Sequence, residues 1–416
     1  MHYGARGVLV SGNSSTPQPG TADCVLLSGA TGFVGMEILS HYLERTDRQI
    51  CTLVRAKDER DAERRIRSAL SLLFGDEDAY PGRITAVPGD IQIPMLGLDH
   101  GHLEWLAASV TDVIHCAASV SFSLPLERSR DINVEGTRRM LEFGELCQEH
   151  GGLEHFAHVS TAYVAGTHEG EFTEDDLDVG QDFRNSYERS KFEAEQLLRS
   201  HTDRLPIQIF RPSIIVGEHT SGWTMSFNVL YSPLKAFVRG ALPAIPADRD
   251  APVDVVPVDY VADAIFHLAN RPAPRRAETY HLVAGASATT VGRLTKLSAS
   301  YLGRRPPLVI PPRLYARLVH PLLVRLRRGR SRRALEQMKV FFPYFAMRVR
   351  YGDRRARSRL APLGIEPPPV ERYYHRLIDF ATRANWGRTP VARSEGHAPP
   401  RTRSPDGGRS RSAASR

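Results

Sequence analysis

Cysteine and lysine are both scarce in this chain of 416 residues, with four of the first and five of the second. Cys24, Cys51, Cys116 and Cys147 form no C-x-x-C pair, and the histidines show no H-E-x-x-H or similar spacing, so no metal site is expected. Three of the cysteines lie in or beside apolar strand-like runs, which predicts buried free thiols in a reducing cytoplasm. His155 and His158 flank the start of a strand-like run and read as structural or exposed. No uninterrupted apolar run of about 18 residues occurs, which excludes an evident membrane span. The first residues also lack the basic, apolar and small-residue order of a signal peptide.

The net charge is +8, but the excess is local. Residues 313–333 hold eight Arg and no acid, and residues 385–416 hold seven Arg against Glu395 and Asp406. The remainder is slightly acidic, which argues against nucleic acid as a partner. The stretch 308–333 mixes Leu and Val with Arg. It could rest peripherally on an anionic inner membrane face, or form a cap helix with its Leu side buried. Pro321 interrupts a continuous amphipathic helix and favours the cap.

What the chain has in quantity is alternation of strand and helix. Strand-like runs at Val25–Ser28, Ile50–Val54, Ile84–Pro88, Val113–His115, His155–Ser160 and Ile207–Arg211 are separated by helical patterns at 33–45, 58–74, 133–149 and 186–201. A helix at Val258–Asn270 and a strand at Thr279–Val283 would close the sheet edge. This predicts an α/β fold, a Rossmann-type doubly wound parallel sheet, with a smaller, mostly helical C-terminal cap. The expected division is a flexible leader at 1–21 and a nucleotide-binding domain at 22–285 with a cap insertion at about 217–250. A cap region at 286–387 and a disordered basic tail at 388–416 complete it.

The first strand runs directly into Gly29-Ala-Thr31-Gly32-Phe33-Val34-Gly35, followed by a helix with apolar positions at Phe33, Val34, Met36, Ile38, Leu39 and Leu43. That order places backbone N–H groups and a helix N-terminus where a pyrophosphate can sit. Gly29 would make the turn, Gly32 would admit the phosphates, and Gly35 would let the helix pack closely. After the second strand stands Arg55, with Lys57 nearby, where an NAD-preferring protein usually has an acid; Asp58 lies beyond the strand end. The basic choice suits a 2′-phosphate and predicts NADP(H). Asp90, with Ile91 after the third strand, could reach the adenine amino group. Ala117 and Ala118 end the fourth strand with small residues that a flat ribose or nicotinamide could lie against.

The fifth strand ends in Ser160-Thr161, and Tyr187-Glu-Arg-Ser-Lys191 opens the next helix. Spacing i, i+4 puts Tyr187 and Lys191 on one face, where the ammonium would lower the phenol's pKa. Thr161 would supply a second hydroxyl to the reacting oxygen. A second match, Tyr231-Ser-Pro-Leu-Lys235, contains Pro233, which makes a regular helical turn there doubtful and marks it as the decoy.

Taken together, GATGFVG, NVEGT (133–137), the Ser-Thr strand end, YERSK and RPSIIVG (211–217) resemble an extended short-chain dehydrogenase/reductase. LVRAKDERDAERRI (53–66), GDIQIPMLGL (89–98), DVIHCAASVSF (112–122) and HVSTAYVAG (158–166) resemble, more narrowly, its thioester reductase and fatty acyl-CoA reductase branch. The resemblance implies Thr161, Tyr187 and Lys191 as the catalytic set. Thr161 stands where many relatives have Ser. It further implies Asn133 as a structural or relay helper at the cofactor, and Pro212 and Ser213 against the nicotinamide carboxamide. The implied reaction is NADPH-dependent reduction of an acyl thioester to an aldehyde; a second hydride transfer to an alcohol is chemically open, and the sequence does not decide it. No acyl-activating or carrier stretch is recognised ahead of residue 23, so the acyl group is expected as a CoA ester or on a separate acyl carrier protein. Phe341-Phe-Pro-Tyr-Phe345 reads as cap core or as the lining of an acyl tunnel. Alternatives are a hydroxysteroid- or isoprenoid-type oxidoreductase, a nucleotide-sugar epimerase, and a non-catalytic NADP sensor.

Overall fold

A computed structural model describes residues 23–150, 152–227, 229–240, 244–272, 277–319, 321, 325 and 338–396. The expected leader, most of the basic stretch after residue 319 and the tail from 397 lie outside the described residues.

Seven strands form the central sheet: β1 (Cys24–Ser28), β2 (Gln49–Val54), β3 (Ile84–Pro88), β4 (Val110–His115), β5 (His155–Val159), β6 (Ile207–Pro212) and β7 (Glu278–Leu282). All neighbours are parallel, in the order β7-β6-β5-β4-β1-β2-β3. Alternate residues of each strand enter opposite cores. Val25, Leu27, Ile50, Ile114 and Ala157 pack with α1 (Phe33–Arg45) and α8 (Val258–Ala269). Leu26, Cys51, Val113, Phe156 and Ile207 pack with residues of α3 (His100–Ser109) and α5 (Glu135–His150). A strand buried on both faces needs apolar residues at every position, which is why CVLLS and QICTLV read as continuous runs. Register aligns the carboxyl ends: Ser28 lies opposite Leu53 and His115, and His115 opposite His158. The loops that follow these strands therefore meet along one edge, beside the order reversal at β1 and β4.

The expected doubly wound sheet is present. The helix expected at 133–149 is α5, preceded by α4 (Leu126–Asn133), and neither α3 nor α4 was expected. α2 (Glu59–Phe74) starts on Asp58, whose side chain accepts from the Asp61 N–H at 2.8 Å, and stops at Gly75 with φ +75°. α7 (Tyr231–Val238) corrects the doubt raised by Pro233. That proline sits in the first turn, where its missing N–H has no intrahelical partner to lose.

The cap is built from two stretches of chain. Tyr231 and Leu234 of α7 pack with Tyr373 and with Tyr374, Leu377 and Ile378 of the helix Tyr374–Arg383 that follows it. The strand Ala244–Pro246 pairs with Leu308–Ile310. Residues 388–396, expected in the disordered tail, are packed: Trp223 Nε1 donates to the Val391 carbonyl at 2.9 Å, and Arg393 pairs with buried Glu37 at 3.1 Å and with Glu218. Composition marked this segment as polar and missed the two buried carboxylates that hold it. Among the described residues, no helix is long and apolar enough to cross a membrane.

Candidate active site

The glycine turn is dictated by contact. Gly29 has φ +80°, and a Cβ there would lie 2.8 Å from the Ala117 nitrogen. A Cβ on Gly35 would lie 2.1 Å from the Gly29 carbonyl oxygen, so this glycine sets the approach of α1 to the turn. Gly32 is the cap residue of α1 and has no side chain to satisfy the first-turn N–H groups; that turn also carries no acid. Thr31, Gly32, Phe33, Val34 and Gly35 all face a cleft of about 1060 Å³. Open N–H groups at a helix start, without a competing carboxylate, suit a phosphate. The cradle fits a dinucleotide.

At one end of the cleft Arg55 is exposed on the wall, joined by Arg65 from α2. Lys57 is not part of that wall. Asp58, the nearest acid, is occupied as the cap of α2. Asp90 and Ile91 also line the cleft, with Asp90 Oδ1 accepting from the Gln92 N–H at 2.9 Å.

At the other end the cleft is walled by Ala117, Ala118, Thr161, Tyr187, Lys191, Pro212 and Ser213. α6 (Ser186–Arg199) begins on Asn185, whose side chain accepts from the Glu188 N–H at 3.0 Å. The Tyr187 phenol and the Thr161 hydroxyl stand beside each other on this wall. Burial pushes the Tyr187 phenol up to about 12, with the neighbouring Thr161 hydroxyl pulling the other way. The expectation that Lys191 lowers this phenol is corrected. The ammonium is 2.9 Å from His158 Nε2 and 2.9 Å from the Val159 carbonyl oxygen, and spends two of its three donors there. Burial brings Lys191 itself down to about 8.

Of the two roles expected for it, Asn133 shows the structural one, without a place on the cleft wall. It is buried off the cleft wall, where it accepts from the Ser119 N–H at 2.8 Å and donates to the Ser119 carbonyl and to Ser190 Oγ at 2.9 Å. It ties the loop after β4 to α6. The Tyr231 hydroxyl is likewise far from this chemistry: it accepts from the Gly217 N–H at 3.0 Å inside the cap, and Lys235 lies 6.0 Å from the Trp386 ring.

Three features escaped sequence reasoning. His158 is buried against Lys191. Glu195, one turn beyond Lys191, forms a fully buried pair with Arg211 at 2.7 Å and accepts from Ser160, beside Thr161. Phe122 stacks on Tyr187 at 5.6 Å and on Tyr344 at 5.3 Å, and the Tyr344 hydroxyl donates to Glu188 at 2.5 Å. The i, i+4 spacing of Lys191 and Glu195 was a usable signal; the pairing of Phe122 with Tyr344 was not, across more than 200 residues.

Residues 27–265 match the NAD-binding family described as Male sterility protein. The chain belongs to this family. It is 34% identical over 278 residues to an isonitrile lipopeptide synthase of Streptomyces coeruleorubidus, covering 66% of the chain and 18% of that protein. It is 30% identical to the fatty acyl-CoA reductase wat of Drosophila melanogaster over 58% of the chain and 53% of the relative. The chain thus spans about half or less of these relatives. Among solved structures, the terminal R domain of the myxalamid PKS-NRPS pathway has a TM-score of 0.76 at 27% identity, covering 90% of this chain and 94% of that one. The reductase (R) domain of a nonribosomal peptide synthetase from Mycobacterium tuberculosis gives 0.68 at 25%, covering 90% and 94%. Members of this male sterility family are NAD(P)-binding, in keeping with the cradle around Gly29, Gly32 and Gly35.

Proposed function

We propose that this chain is an NADPH-dependent reductase of acyl thioesters, with the acyl group borne by coenzyme A or a carrier protein. The observation that carries the reading is that Tyr187, Thr161 and Lys191 line the same cleft as the glycine turn. Arg55 and Arg65 would hold a 2′-phosphate, and the first turn of α1 the pyrophosphate. NADPH, when bound, supplies a hydride to the thioester carbonyl carbon. Tyr187 and Thr161 donate hydrogen bonds to the carbonyl oxygen as it gains charge, the largest electrostatic contribution such a site can make. Tyr187 then passes its proton to that oxygen. Lys191 orients the nicotinamide ribose. A thiol of pKa about 8.5 leaves readily from the resulting adduct, and an aldehyde remains. Residues 217–250 and 286–387 serve as the substrate cap.

The test is to mix the protein with NADPH and a long-chain acyl-CoA, following cofactor absorbance, free thiol, and aldehyde and alcohol products. Cofactor oxidation with matching thiol release supports the reading. Activity confined to free ketones or alcohols replaces it with the hydroxysteroid-type alternative.

A further inference from the structure

Lys191 is 2% exposed, yet its ammonium must carry charge next to the reacting groups. An ammonium has three N–H donors. One goes to His158 Nε2 and one to the Val159 carbonyl oxygen, both at 2.9 Å. One is left, on a side chain that forms part of the cleft wall. We propose that His158 is a positioning residue for Lys191, fixing the ammonium so that its remaining N–H meets the ribose of the bound dinucleotide. The inference rests on the reading that a dinucleotide occupies this cleft.

The geometry around His158 suits that task. Because Nε2 accepts from Lys191, the ring proton sits on Nδ1 and the imidazole is neutral. Burial and the facing ammonium both hold it well below the ordinary histidine range. The ring is 1% exposed and lies 5.0 Å from the ring of His115. His115 is fixed in turn, with Nδ1 2.8 Å from Ser28 Oγ. Ser28 Oγ accepts from the Cys116 and Ala117 N–H groups at 3.2 Å. The last residue of β1, which opens the glycine turn, is thereby joined through the end of β4 to the imidazole behind Lys191. An aliphatic side chain would fill the same volume but offer no acceptor to a buried ammonium, and a merely space-filling role would not need one.

The experiment uses the full chain and NADPH binding followed by fluorescence titration, with thermal unfolding as a control. His158→Leu should weaken NADPH binding roughly tenfold, as expected for losing a hydrogen bond to a charged group. In a Lys191→Met background the same substitution should cost nothing further, because the partner is gone. His158→Gln, which can place an amide oxygen near the Nε2 position, should stay within about threefold of the parent, and the shorter His158→Asn should not. Unchanged affinity in His158→Leu, an equal loss with and without Lys191, or equal affinity of the Gln and Asn variants would each overturn the proposal. If His158→Leu fails to fold, the Gln and Asn pair decides alone. A parent protein that binds NADPH but reduces no thioester removes the reductase reading and leaves this assignment intact.

Discussion

Tyr187 and Lys191 stand one turn apart on α6, yet the lysine ammonium reaches His158 and the Val159 carbonyl rather than the phenol. The phenol's hydroxyl neighbour on the cleft wall is Thr161. In the proposed reaction the two hydroxyls would face the substrate oxygen, while the ammonium would serve the cofactor. Separate tasks for the two side chains lead to separable mutational effects.

On the proposed mechanism, replacing Tyr187 by Phe would remove the proton donor and one of two hydrogen bonds to the developing oxyanion. We expect kcat to fall by about 10²–10⁴-fold, the range for a lost general acid. NADPH affinity should stay within about twofold. Stopped-flow turnover and a binding titration on the same variant check both halves.

Arg55→Ala and Arg65→Ala should raise the KM for NADPH by about tenfold each, the loss of a charge-assisted hydrogen bond. The KM for NADH should hardly move. Parallel initial-rate measurements with both cofactors decide, and equal use of both by the parent removes the 2′-phosphate argument.

The ammonium of Lys191, at about 8, is present at lower pH and lost as pH rises through that value. The Kd for NADPH should therefore rise several-fold between about pH 7 and pH 9, and Lys191→Arg, which stays charged, should flatten the profile. Stability runs the other way. An unfolded lysine titrates near about 10.4, so between about 8 and 10.4 the unfolded chain binds a proton that the folded one has released. The contribution of this group to stability rises with pH across that window, measurable as a difference in Tm between parent and Lys191→Met.

Gly35→Ala and Gly32→Ala should fail differently. A Cβ at position 35 meets the Gly29 carbonyl oxygen at 2.1 Å, and its next neighbours are backbone atoms of Gly29 and Ala30. We expect destabilisation of at least about 2 kcal/mol, as for an overpacked interior. At position 32 the nearest atom is 3.2 Å away and the cleft lies open, so Tm should hold while NADPH binding is lost. Thermal melts and binding titrations separate the two.

Tyr231→Phe should leave kcat and KM unchanged. It strands the buried Gly217 N–H that its hydroxyl accepts, which costs about 1–3 kcal/mol. A drop in Tm with full activity is the expected pair of results; loss of activity in this variant would place the chemistry at the wrong tyrosine.

The nucleotide-binding half was legible in the chain because its determinants are local. Strands buried on both faces must be apolar throughout, and a turn that admits phosphate must be glycine where a Cβ would strike backbone. A hydroxyl pair at a strand end and a Tyr-x-x-x-Lys face need only their own spacing to be recognised. What the tertiary structure decided is where each polar group spends its hydrogen bonds. Lys191 could equally have faced Tyr187, and Asn133 could have faced the cofactor; packing of α6 against β5 and of the loop after β4 against α6 settled both. Arg393 could not be read as a latch, because the carboxylates that bury with it, Glu37 and Glu218, stand 356 and 175 residues away along the chain. Spacing along a helix states which side chains share a face, but which neighbour satisfies a buried charge depends on elements that only folding brings together.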